Sequence, residues 1–290
     1  MSAVLVIGAS SQIGRFLLPQ LQGYGFEVTA VSRHVPAEAP PARWCQADIA
    51  HRRLEEVVAA RTVVSLAPLG VTVEVLAQGH LPRVQRLVAF SSTGALTKQS
   101  STDPREKAAA ARLLEAEAAF RRQCDARSVA WTLFRPTMIY DGTNDKNVAL
   151  IARFVSRFGF FPLVGEAGGQ RQPVHAADLA QACGAVLTNA NTYRRTYNLA
   201  GGEVLSYRGM VARIFLALGK KPRCVRIPPS LLGAALATAR IVPRYRYLNA
   251  AMADRMNQDM AFDLTEAAQD FDYRPRPFRP DFGQERPPRD

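Results

Sequence analysis

The sequence predicts an α/β protein built on a doubly wound parallel sheet, with a small lobe supplied by the C-terminal half. Three observations carry this. Strand-length and helix-length segments alternate through the first half of the chain. The strand-length runs are apolar throughout, as expected of a sheet covered on both faces. The first of them runs into a glycine-punctuated loop and a helix, GASSQIG at 8–14. Right-handed crossovers then wind the strands in both directions from the centre.

The elements follow in order. VLVIG (4–8) is the first strand, and Ser11 to Gly23 is a helix with Ile13, Phe16, Leu17 and Leu21 on one face. FEVTAVSR (26–33) and ARWCQADI (42–49) are the second and third strands, followed by a helical HRRLEEVVAA. TVVSLAP (62–68) and RLVAFSS (86–92) are the fourth and fifth. DPRE (103–106) then opens an alanine-rich helix. Asp103 is placed at N-cap, Pro104 at N1 and Glu106 at N3 of a capping box. Leu113, Leu114 and Phe120 are expected to face the sheet. VAWTLFRP (129–136) is the sixth strand.

After Pro136 the alternation weakens. Ala149 to Phe158 and Ala176 to Asn189 read as helices, with GFFPLVGEAGGQRQ between them as loop. RTYNLAGG is a late strand, and a further helix begins at Ser206. The tail from Tyr273, YRPRPFRPDFGQERPPRD, is expected to be extended or disordered. The resulting division is a Rossmann-type domain over 1–140, completed by 171–200. A small substrate lobe takes 141–170 and 201–280, and 281–290 form a flexible tail.

Composition narrows the function classes. The chain has 290 residues, 48% of them hydrophobic, and a mean hydropathy of -0.09, ordinary for a globular protein. The N-terminal MSAVLVIGAS lacks the basic start of a signal peptide. The apolar stretch from Leu231 is cut by Arg240 and is too short to span a bilayer. It is expected to be a buried or dimer-facing helix, with an interfacial helix over Leu231 to Val242 as the alternative. A cytoplasmic protein with no stable membrane span is therefore expected. Cys45, Cys124, Cys183 and Cys224, like His34, His51, His80 and His175, are scattered without ligand spacing, so neither disulfide nor metal is expected. The net charge of +12 reads first as a dispersed solvated surface and second as a preference for anionic or polar small molecules. No basic block with interleaved aromatics suggests nucleic acid.

The loop GASSQIG has the chemistry of a dinucleotide cradle. Gly8 suits the tight turn and Gly14 the close helix packing, while Ser11 stands where a third glycine is usual. The hydroxyls of Ser10 and Ser11, with the backbone of Gln12 and Ile13 at the helix start, face the expected pyrophosphate. At the end of the second strand stand Ser32, Arg33 and His34, where NAD-binding folds usually place an acid. Arginine there suits a ribose 2′-phosphate, so NADP(H) is expected over NAD(H). Asp48 and the adjoining Ile49 read either as an adenine-side contact or as a helix start.

Taken in order, GASSQIG, SLAP, FSST, FRPTMIYD, GQRQPVHAADLA and YNLAGG resemble the short-chain dehydrogenase/reductase superfamily. The likeness is to its extended and atypical branches, the epimerase/dehydratase group, over residues 3–280. The resemblance implies that Ser65, Leu66 and Ala67 border the nicotinamide-side ribose, joined by Ser91 and Pro136. It places Ser92 and Thr93 at the family's catalytic Ser/Thr, Thr93 fitting slightly better. Arg135, Pro136, Thr137 and Tyr140 match a segment bordering nicotinamide and substrate, and His175 with Asp178 matches one anchoring the substrate lobe.

The departure is the family's Tyr-x-x-x-Lys pair. No tyrosine of this chain stands four residues before a lysine. The helix that should carry the pair has no tyrosine. Lys98, just beyond FSST, together with Tyr140 and His175, supplies the remaining candidates for a proton donor. Two functions follow. One is an NADP(H)-dependent oxidoreductase or epimerase-like enzyme acting on a carbonyl or carbinol substrate such as a nucleotide sugar. The other is a non-catalytic NADP(H)-binding regulatory or accessory subunit, with a homodimer or partner assembly implied.

Overall fold

The computed structural model describes residues 3–51, 57, 59–143, 145, 147–228 and 255–282. Its strands are β1 (Ala3–Ile7), β2 (Glu27–Ser32), β3 (Arg43–Gln46), β4 (Thr62–Ser65), β5 (Arg86–Phe90), β6 (Ala130–Pro136) and β7 (Ile139–Tyr140). There follow β8 (Phe161–Val164), β9 (Gln170–Arg171), β10 (Val174–His175), β11 (Arg195–Leu199), β12 (Leu205–Ser206) and β13 (Cys224–Ile227). The described helices are α1 (Gln12–Gly23), α2 (Leu69–Ala77), α3 (Gly94–Thr97), α4 (Pro104–Ala126), α5 (Val148–Phe158), α6 (Ala176–Val186), α7 (Tyr207–Ala217) and α8 (Thr265–Phe271).

Seven strands form one sheet in the order β11-β6-β5-β4-β1-β2-β3, every neighbouring pair parallel. The strand order reverses between β1 and β4. The crevice at their carboxyl ends is the place where such sheets bind ligands. Alternation along each strand serves both faces. Val4, Val6, Val28, Val64 and Val88 pack with Leu17, Leu21, Leu179 and Val186 of α1 and α6. Leu5, Ile7, Val63, Leu87 and Leu133 pack with Val75, Leu76, Phe120 and Cys124 of α2 and α4. Both faces are covered, as the apolar strands require.

The small lobe has its own core. Val148, Ile151 and Val155 of α5 meet Met210, Val211, Ile214 and Phe215 of α7, with Phe161, Leu163 and Phe278. GFFPLVGEAGGQRQ is not the loop expected of it. Phe161–Val164 pairs in parallel with Cys224–Ile227, and Gln170–Arg171 pairs antiparallel with Leu205–Ser206. The strands are too short, and too interrupted by glycine and proline, to show a period. α2 was likewise unmarked, because LGVTVEVLA is rich in β-branched residues.

Of the two states expected of the tail, extended or disordered, the described residues show the first. Residues 273–282 are extended but tied down. Tyr273 and Phe278 are buried, Tyr273 Oη donates to the Ala200 carbonyl, and Arg276 donates through N and Nε to the buried Asp178. Arginine and proline lower mean hydropathy, yet two aromatic anchors and one ion pair outweigh that composition. The expected helices over HRRLEEVVAA and from Leu231 to Val242 lie largely or wholly outside the described residues.

One buried cation locks the sheet. Arg86, 5% exposed, donates to the carbonyls of Leu87, Ala130, Val186 and Leu187 and to the hydroxyls of Thr132 and Thr192. Its guanidinium lies 4.7 Å from the Tyr193 ring centroid. Burial pulls its pKa down to about 10, which leaves it charged at neutral pH. Arg86→Met strands these acceptors and is expected to cost roughly 3 kcal/mol. Arg86→Lys is expected to recover only part, since lysine lacks the planar fork. The midpoint of urea unfolding checks both.

Candidate functional site

The first wall of the crevice is the β1–α1 turn. Gly8 has φ +73°, and a Cβ there would stand 2.8 Å from the Ala67 nitrogen. A Cβ on Gly14 would stand 2.0 Å from the Ala9 carbonyl oxygen. No side chain fits either place, so the loop lies tight against both the 66–67 segment and its own helix. Ser11 is the N-cap of α1, its Oγ accepting from the Gly14 N–H at 3.2 Å. That leaves its own hydroxyl proton for an outside acceptor. Ser10 Oγ lies 2.6 Å from Ser32 Oγ, joining the loop tip to the end of β2. Arg33 and His34 follow, both exposed. The residues present therefore fit a dinucleotide. Gln12 Oε1, at the helix start, is buried without a hydrogen-bond partner, an acceptor suited to a ligand hydroxyl.

Some expected cofactor contacts are occupied otherwise. Asp48 Oδ1 accepts from the Ala50 N–H, a local contact two residues on, and Ile49 is buried with its carbonyl 3.0 Å from His80 Nδ1. Ser65 is fully buried, its Oγ 2.7 Å from Thr72 Oγ1. Leu66 N donates to the Ile7 carbonyl, so the 65–67 segment reaches the crevice through its backbone.

The second wall is built where the sequence left a puzzle. α4 is capped as expected at one end of the box only. Asp103 Oδ1 accepts from Arg105 N, with Pro104 at N1. Glu106 instead takes the Ser101 hydroxyl at 2.8 Å and an ion pair with Arg255 of the lobe. Ser101 Oγ then accepts from Asp103 N, the bond Glu106 would have made. Further along, α4 buries Ala110, Glu117, Phe120 and Cys124, while Leu113 and Leu114 are only half-buried.

Glu117 is the unexpected member. Its carboxylate is fully buried and collects Ser91 Oγ at 2.6 Å, Arg135 Nε at 2.9 Å and Arg135 Nη2. Arg121 stands 3.6 Å away. Burial alone would raise this carboxyl. The hydrogen bonds from Arg135 and Ser91 and the nearby arginine charges reverse that and hold it below the ordinary range. Arg135, expected at the substrate, thus points its guanidinium at Glu117. Glu117 gave one signal: its spacing of seven from Ala110 and three before Phe120 puts it on the inward face, unlike Glu115.

The other candidates are similarly engaged. Thr93 is buried, and its Oγ1 donates to the Pro136 carbonyl. Ser92 Oγ accepts from Gly94 N at 3.1 Å. Thr137 Oγ1 donates to the Gln172 carbonyl. Tyr140 is 1% exposed, edge-on to His175 and Phe278, and burial raises its pKa. His175 is the N-cap of α6, its Nδ1 accepting from Ala177 N. Burial and then Arg276 lower its pKa, which keeps the imidazole neutral for that role. Lys98 is half-buried, its stem lying over Gly94.

A family model described as NAD(P)H-binding matches residues 8–190. The chain belongs to this NAD(P)H-binding family. A relative from Arabidopsis thaliana, NADH dehydrogenase (ubiquinone) 1 alpha subcomplex subunit 9, mitochondrial, is 31% identical over 147 residues, 50% of this chain and 34% of that protein. The match thus spans about a third of the relative's length. An epimerase from Methanothermobacter thermautotrophicus superposes with a TM-score of 0.72 at 16% identity, covering 97% of this chain and 90% of that one. UDP-glucuronic acid 4-epimerase from Bacillus cereus, in complex with NAD, gives 0.71 at 15%, with 94% and 93% covered. dTDP-glucose 4,6-dehydratase from Bacillus anthracis, also with NAD, gives 0.67 at 17%, with 95% and 92% covered. The fold is that of these epimerases and this dehydratase, as the motifs implied. No helix among the described residues is long and apolar enough to cross a membrane.

Two outcomes test the site's construction. Gly14→Ala forces Cβ onto the Ala9 carbonyl and is expected to remove dinucleotide binding and soluble protein together, read by expression and by titration. The Glu117 carboxyl, depressed in the folded state, contributes stability above its unfolded value of about 4.3. That contribution is lost as pH falls through the folded pKa. Glu117→Gln is expected to lower stability at pH 7 by about 3 kcal/mol, by leaving Arg135 uncompensated. It also removes this group's share of the acid slope in melting temperature against pH.

Proposed function

We propose that this protein binds NADP(H) in the crevice between β1 and β4 and serves as a regulatory or accessory subunit of a larger assembly. One observation carries this reading: the polar side chains Ser91, Thr93, Arg135 and Tyr140, at the carboxyl ends of β5, β6 and β7, are engaged by neighbouring groups of the protein itself. Ser91 and Arg135 are held by Glu117, Thr93 by the Pro136 carbonyl, and Tyr140 lies buried between His175 and Phe278. A general acid must reach the substrate atom it protonates. Groups that are buried and internally bonded stabilise a wall instead. The relative whose name places it in NADH dehydrogenase supports a partner assembly. Arg33, exposed at the end of β2 with no acid before Glu38, supports the 2′-phosphate preference.

A second reading rests on Lys98. Its ammonium makes no hydrogen bond or ion pair with a described residue, and it stands beside Ser92. In that reading the chain is a reductase or epimerase-like enzyme for a polar carbonyl compound such as a nucleotide sugar. Bound NADPH supplies the hydride. Lys98 gives the proton to the substrate oxygen, and Ser92 orients that oxygen.

Fluorescence titration with NADPH and NADH tests the cofactor. Arg33→Asp is expected to weaken NADPH about ten-fold and leave NADH nearly unchanged. A panel of aldehydes, ketones and nucleotide sugars is expected to give no NADPH oxidation, while a partner co-purifies. Turnover that disappears in Lys98→Ala would establish the enzyme instead.

A further inference from the structure

The far end of the small lobe carries a surface that neither a dinucleotide nor a small substrate uses. α5 ends at Gly159, which takes φ 73° as the left-handed cap. The turn sets Phe158 and Phe160 on either side of it, 42% and 37% exposed. Both rings lie against Phe154, at centroid distances of 4.6 and 5.8 Å, and 6.4 Å from each other. The elements joined to this corner add Leu216 at 64% and Val225 at 51% exposure. Scattered exposed apolar residues need no explanation, but a cluster of aromatics does.

Cations surround the cluster. Arg157 lies 5.6 Å from the Phe158 ring centroid. Lys220 Nζ donates to the Val155 and Ser156 carbonyls at the end of α5, which fixes the α7–β13 turn beside the aromatics. Phe161 N donates to the Arg223 carbonyl, so Arg223 borders Phe160 directly. Lys221, Arg223 and Arg226 are exposed, and among them Arg226 pairs with Glu166. The sequence continues the theme: residues 204–253 contain nine arginines and lysines and no aspartate or glutamate.

We infer that this corner docks on an anionic lipid surface. Aromatic rings fit the boundary between headgroups and acyl chains, and flanking lysines and arginines are drawn to acidic headgroups. A protein groove or a second copy of this chain would need acidic complementarity. An acid-free span of this length does not supply that to another copy. Docking would bring the crevice and any assembly partner to a membrane without a spanning helix.

Sedimentation of the full chain with vesicles tests this. Vesicles of phosphatidylcholine alone are compared with vesicles that also contain phosphatidylglycerol. The protein is expected to pellet with the second and not the first. Phe158→Ser with Phe160→Ser is expected to reduce that binding about ten-fold, and so is Lys221→Ser with Arg223→Ser. Arg112→Ser with Arg122→Ser removes the same charge from exposed positions on α4, and binding is expected to stay within about two-fold. Circular dichroism and NADPH titration verify that each variant is folded. Absence of binding to phosphatidylglycerol vesicles overturns the inference. So do equal losses in the two charge pairs, which would mean general attraction of a basic chain. A dimer that the phenylalanine variant dissociates, with vesicle binding unchanged, overturns it in favour of a second copy.

Discussion

The constraint on which the molecule turns is the absence of a side chain at Gly14. With only a hydrogen there, α1 starts against the Ala9 carbonyl, and its first N–H groups face the carboxyl ends of β1 and β4. Gly8 makes the same demand one step earlier, against the backbone at Ala67. These two contacts place a helix N-terminus at the point where strand order reverses. The site is then a consequence of topology: the helix dipole and free amides favour an anion, and the strands on either side leave room for it.

The other wall is governed by a single buried charge. Glu117 would be costly alone, and Arg135 and Ser91 make it tolerable. The three come from α4, β6 and the end of β5, so the network fastens the helix to the sheet at the level where chemistry would be expected. A pocket organised by internal bonds is rigid and presents backbone more than side chains. Glu106 and Arg255 extend the same principle by bolting the start of α4 to the lobe.

Strands of the parallel sheet were legible because covered strands are apolar and lie between helices of recognisable period. The glycine pair was legible because only glycine satisfies those two positions. The Asp103 cap was legible too, but its partner was not: a lobe arginine distant in sequence competes for Glu106. The missed α2 and the short pair β8 and β13 have no usable periodicity. α2 and β8 form because most of their apolar residues are covered by tertiary contacts, and β13 because it pairs with β8. The tail shows the limit of composition. YRPRPFRP reads as extended or disordered, and only Asp178 and the apolar beds of Tyr273 and Phe278 decide between the two. In the site, residue types marked the region, and their commitments were invisible. Ser91, Arg135 and His175 look equally suited to a ligand or to a neighbour, and only geometry assigns the partner.

The most direct test of the account is the crystal structure of the NADPH complex. The account predicts the pyrophosphate against residues 8–14 and the 2′-phosphate at Arg33. It also predicts the Ser91–Glu117–Arg135 bonds intact, and Tyr140 and His175 still facing one another. Ser91 or Tyr140 turned out to meet the nicotinamide C4 region, with the Glu117 network opened to release it, would contradict the account.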